Sequence, residues 1–158
     1  MDELQTNLPQ SLPTQRVLLV RVELGERMEL GASKHGARYV VPILGGRFEG
    51  TPAGLQGEVV SGGADWQLLR PDGVLELDAR YSLRVADGTL LHVRNRGLAV
   101  PPPAPASDEA PAAAYVRTVP ELEAPLASAH AWLNRTLFIG TLELVGRRCV
   151  LVAMYRVG

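Results

Sequence analysis

The chain has 158 residues, 46% of them hydrophobic and 21% charged, with a net charge of −1 and one cysteine. That length and mix suit a single domain able to bury a core without a disulfide or metal staple. The near-neutral charge gives no reason to expect nucleic acid or an anionic membrane surface as partner, and the lone Cys149 excludes an internal disulfide and a cysteine-based zinc cluster.

Residues 1–15, MDELQTNLPQSLPTQ, are polar and acidic and lack a secretory pattern. They read as a flexible arm ahead of one domain spanning 16–158. No apolar run approaches the ~20 residues of a membrane helix, so a cytoplasmic location is expected. Arg16–Leu24, Arg38–Phe48 and Leu55–Val60 read as strands. The clearest alternation lies in VLELDARYSLRV: Leu75, Leu77, Ala79, Tyr81, Leu83 and Val85 share one face, and Glu76, Asp78, Arg80, Ser82 and Arg84 the other. Arg70-Pro71-Asp72-Gly73 and Asp87-Gly88 supply turn chemistry on either side, predicting a meander of residues 65–70, 74–85 and 89–95. Val100–Ala114 holds five prolines and reads as a mobile connection, or as a lid over a pocket mouth. TLFIGTLELVG and RRCVLVAMYRV form a last hairpin around Val145-Gly146-Arg147, with Cys149 a buried, inert thiol. Many short strands and no clear amphipathic helix predict an all-β fold, a single closed antiparallel barrel that leaves no exposed edge.

GGRFEG (45–50), GGADW (62–66), LDARY (77–81), YVRTVPELE (115–123), AWLN (131–134) and LFIG (137–140) occur in an order that resembles domain-of-unknown-function family 3237, also called uncharacterised protein family 0311. The resemblance runs from about residue 16 to 157. It implies a calycin-like barrel whose interior takes a small molecule, and it brings no reaction with it. The chain departs from the family's pattern at TPAGLQ (51–56), at the proline loop, and at Leu122, Ala124 and His130, where the family shows Phe, Thr and Tyr. The pocket wall is therefore expected to differ there.

Asp65 is the leading candidate for chemistry. Gly62, Gly63 and Ala64 clear space beside it, and a carboxylate desolvated next to Trp66 becomes an acid or base near neutral pH. The alternative is a carboxylate that ties down backbone amides after a bulge. Arg117 and Glu123, flanking Pro120, are the other catalytic candidates, with the arginine fork suited to an anion. Trp66, Arg80, Tyr81, His130, Trp132 and Asn134 are the candidate ligand-binding residues, with Trp132 and Asn134 on one side of a strand start. Asp78 and Arg80 share a face that is outside on the simplest reading, and the Tyr81 hydroxyl is expected to find a partner in the core. His35, His92 and His130 have no short metal-site spacing, so neither metal nor cofactor is expected. The function expected is a small-molecule-binding barrel carrying out cofactor-independent acid–base chemistry, of isomerase, cyclase or lyase type, on an organic metabolite. The alternatives are a non-catalytic carrier or sensor and a homo-oligomeric interaction protein with a filled core.

Overall fold

Alternation of apolar and polar residues becomes strand along nearly all of the chain. The computed structural model describes residues 6–104 and 113–158. They form β1 (Thr14–Leu24), β2 (Met28–Ser33), β3 (Gly36–Gly50), β4 (Gln56–Leu69), β5 (Leu75–Val85), β6 (Leu90–Val100), β7 (Tyr115–Glu123), a 3-10 helix (Ala131–Arg135), β8 (Phe138–Leu144) and β9 (Cys149–Val157). Part of the N-terminal arm and the middle of the proline loop fall outside the described residues.

Pairing runs β1-β9-β8-β7-β6-β5-β4-β3, and β3 returns to β1, so eight antiparallel strands close a barrel. β2 pairs with β3 alone, and all six of its residues are exposed. This overhang lies outside the strands expected from the sequence, and its side chains bury nothing. β7 meets β8 through a single paired position, Thr118 opposite Gly140.

The alternation read in β5 is the barrel's inner face. Tyr81, Leu83 and Val85 join Leu18, Val20, Val22, Phe48, Leu91, Val93, Phe138 and Met154 in one buried core. Each fully buried Leu or Val contributes roughly 1.5–3 kcal/mol, which gives such a barrel its main stabilisation.

Residues 55–60 and 65–70, expected as two strands, are one. Between the pairs Val60–Ser82 and Ala64–Arg80, β4 advances four residues while β5 advances two. Gly62 takes the excursion at φ +113°, open to glycine and costly for other residues. Two extra residues preserve the alternation, so Val59 before the bulge and Asp65 after it both face inward.

The barrel's two ends differ. At one end the 3-10 helix covers the opening, with Leu133 buried beneath it. Trp132 and Asn134 lie on this helix; the strand expected for them is absent because AWLN spans the gap between β7 and β8. Asn134 accepts from the Ala124 N–H at 2.8 Å and donates to the Ala124 carbonyl at 2.9 Å, fastening the helix to the end of β7. His130 is buried, and its Nε2 lies 2.9 Å from the Asp87 carboxylate on the β5–β6 turn. The other end is open.

Candidate functional site

At the open end lies a cavity of about 590 Å³. Its walls are the last inward-facing residues of the strands, among them Leu24, Val41, Leu75, Leu77, Leu142 and Val150. Asp65 and Gln67 are the polar groups within it, and Glu26, Arg27, Arg147 and Arg148 belong to its rim. Arg27 is held by Glu29 at 2.9 Å and lies over the Tyr39 ring. Arg147 and Arg148 are exposed on the β8–β9 turn, with no ion pair among the described residues.

Asp65 stands directly between Val41 of β3 and Ala79 of β5. One carboxylate oxygen accepts the Asp78 backbone N–H at 2.9 Å, and the other accepts from Gln67 Nε2 at 2.8 Å. Burial raises its pKa above the ordinary carboxylate value, and those two hydrogen bonds oppose the rise without cancelling it. Asp65 thus ties down a backbone amide after a bulge, and it also faces the cavity.

Apart from Tyr81, the other candidates do not gather around it. Trp66, one residue on, points outward and is 41% exposed; the two-residue bulge leaves neighbours on opposite faces. Arg80 is also outside, 3.8 Å from Asp78, which takes a forked pair of bonds from Arg94 at 3.2 Å each. The surface reading of that pair holds, and Arg80 cannot serve the Asp65 cavity. Arg117 and Glu123 lie on the outer face of β7. Arg117 donates to the Val116 carbonyl and packs against Tyr115, and Glu123 is 3.9 Å from His92. Their expected convergence with Asp65 fails because β7 turns Thr118, Pro120 and Leu122 inward, the opposite parity. Trp132 borders a separate depression at the closed end, with Gln15, Val17 and Pro52. His130, Asn134 and Leu122 belong to that end too, so the departures from the family's pattern there reshape the plug and leave the cavity wall alone.

Tyr81 faces inward and is buried, as expected for a core residue. Its hydroxyl, however, has no hydrogen-bond partner among the described residues. Burial, and secondarily the charge of Asp65, push the phenol's pKa well above its ordinary value. Sequence reasoning missed Gln67, Leu142, Val150 and the rim arginines. Gln67 was accessible, since it shares the parity of Asp65. Among the described residues no three His, Cys, Asp or Glu side chains cluster as metal ligands would, and no helix is long and apolar enough to cross a membrane.

A closed eight-stranded barrel with one plugged end and one open, carboxylate-bearing cavity defines the class of protein. The chain belongs to the DUF3237 family of proteins of unknown function, whose model matches residues 13–157. It is 32% identical over 137 residues to a UPF0311 protein of Rhodopseudomonas palustris, covering 83% of this chain and 88% of that one. A crystal structure of a beta-barrel like protein from Acinetobacter baumannii matches with a TM-score of 0.80 at 27% identity, covering 97% of this chain and all of that one. A crystal structure of an enzyme from Penicillium herquei matches at 0.72 and 17% identity, covering 98% of this chain and 100% of that chain. At that identity the likeness carries the fold alone.

Proposed function

We propose that the protein binds a small organic molecule in the open end of its barrel and carries out cofactor-independent acid–base chemistry on it, of isomerase, cyclase or lyase type. The observation that carries this reading is a half-buried carboxylate, Asp65, facing with Gln67 a largely apolar cavity of about 590 Å³. Cavities of roughly 300–1,000 Å³ with few polar groups are the usual form of metabolite sites. A carboxylate of raised pKa is a better base than an ordinary one. The ligand that fits has an apolar body, a polar atom able to meet Asp65 and Gln67, and an anionic group placed toward Arg147 and Arg148. A filled-core interaction protein would leave no such space.

N-phenyl-1-naphthylamine, a neutral dye that brightens in apolar surroundings, tests the cavity. Saturable brightening is expected, and it should disappear in Leu142→Trp, which fills the space. Carbon-13 titration of Asp65 tests the chemistry: its midpoint should lie above the ordinary 3.8 and move higher when the dye excludes water. No saturable binding, or equal binding by Leu142→Trp, would overturn the reading. An unmoved carboxyl midpoint would leave a carrier without acid–base function.

A further inference from the structure

Among the described residues, the barrel's inner wall carries three buried side-chain atoms without a hydrogen-bond partner: Tyr81 Oη, Asn95 Oδ1 and Thr118 Oγ1. Their residues are 5%, 4% and 1% exposed. Polar atoms this deep ordinarily have partners, because stripping one of water without replacement costs about 1–3 kcal/mol. Three in one wall need a common explanation.

Register places them side by side. Asp65 is opposite Ala79, and Ala79 is opposite Asn95. Leu77, which lines the cavity, is opposite Gly97, and Gly97 is opposite Thr118. Tyr81 and Asn95 are diagonal neighbours across β5 and β6, as are Asn95 and Thr118 across β6 and β7. Such diagonals lie within about 7–8 Å. The row thus runs from Tyr81 past Asn95, on the rung of Asp65, to Thr118, on the rung of the cavity-lining Leu77. Small residues border it: Ala79, Gly97 and Gly140. A Cβ on Gly140 would fall on the Thr118 hydroxyl, so that glycine keeps the hydroxyl's place free.

We propose that Tyr81, Asn95 and Thr118 form an inner subsite that receives a neutral hydroxyl or carbonyl oxygen at the buried end of the ligand. The proposal rests on the cavity reading above. Asn95 Oδ1 accepts from a ligand hydroxyl. The Thr118 and Tyr81 hydroxyls donate to its oxygen, or to a carbonyl in its place. The Tyr81 phenol keeps its proton throughout the physiological range, so it remains a donor there. The subsite suits an uncharged group, because the three side chains of the row are neutral and would not offset the burial of a charge. The ligand is therefore polar at both ends: an uncharged oxygen inside, an anion at the arginine rim, and an apolar body between.

The test uses two probes of matched shape, 2-naphthol and 2-methylnaphthalene, each displacing N-phenyl-1-naphthylamine from the full chain. Wild type should prefer the naphthol at least tenfold. Thr118→Val and Tyr81→Phe should bring the two probes to parity by weakening naphthol alone. Both variants should melt at or above the wild-type temperature, since each removes an unpartnered polar atom. Equal binding of the two probes by wild type, as a permanently held water would produce, overturns the subsite and leaves the cavity standing. So does a naphthol preference that survives both substitutions. A loss of melting temperature with probe preference intact assigns the row a structural role and overturns the subsite. If neither naphthalene nor the dye binds, the cavity reading itself falls.

Discussion

The Asp65 carboxylate accepts the backbone N–H of Asp78 at 2.9 Å, while the Asp78 side chain leaves by the opposite face to meet Arg94. One acidic residue holds the strand of another across the barrel wall, and the two carboxylates work on different sides of it.

Asp65→Asn should separate the structural from the chemical role. The amide oxygen can still accept from Asp78, and Gln67 can turn its own carbonyl toward the new NH2, so the variant should fold. Burial raises the native pKa of Asp65, so the folded state binds the proton more tightly than the unfolded one. Wild type therefore loses stability as pH rises from the unfolded value of 3.8 through the raised native value, and the asparagine variant does not. The melting temperature of Asp65→Asn relative to wild type should climb across that window and level off above it. Thermal unfolding from pH 3 to pH 8 checks this; a constant difference would mean the carboxylate is not desolvated.

The rim arginines should sense charge. Anilinonaphthalene sulfonate shares its apolar rings with N-phenyl-1-naphthylamine and adds an anion. Replacing Arg147 and Arg148 together by glutamine should weaken the sulfonate dye roughly tenfold, or about 1.4 kcal/mol. The neutral dye should change less than twofold. Added salt should mimic the substitution in wild type. Parallel losses of both dyes would show that the arginines shape the mouth without reading charge.

At the β7–β8 seam, Gly140→Ala should destabilise the barrel by about 1–3 kcal/mol, the usual cost of forcing an extra methyl into packed space. The new Cβ meets the Thr118 hydroxyl, with Pro120 Cγ at 3.2 Å behind it. Adding Thr118→Ala should recover much of the loss, giving a clear coupling in a double-mutant cycle. Urea titrations of the four proteins measure it.

The plugged end should weaken in acid. The Thr89 backbone N–H, the Thr89 side chain and His130 hold the Asp87 carboxyl down to about 2. A depressed carboxyl stabilises the fold above its unfolded pKa of 3.8 and loses that contribution as pH falls toward 2. Asp87→Ala should melt below wild type at pH 6, and the gap should close between pH 4 and pH 2. A gap that persists at pH 2 would assign the loss to packing.

What could be read beforehand followed from parity within a strand. The run from Leu75 to Val85 displayed its inner face openly, and Asp78 and Arg80 fell outside as the simplest reading required. Arg117 and Glu123 misled because Thr118 and Pro120 blur the inner face of β7; neither looks like a barrel lining. Trp132 and Asn134 misled because AWLN carries alternation on a turn of 3-10 helix. The rim arginines were hidden for a different reason. They are turn residues, and only closure of the barrel brings the β8–β9 turn beside Leu24 and Arg27, a juxtaposition no local pattern encodes.

The bulge at Ser61–Gly63 makes β4 behave like a reading frame with a period of two. Removing a pair of residues there would straighten the strand and return Asp65 to the same side. Removing one would shift every later residue by half a period, delivering the Trp66 indole into the cavity and the carboxylate to the surface. Length changes in this wall are tolerable to the site only in even numbers, so relatives that keep the carboxylate should differ here by two residues or by none.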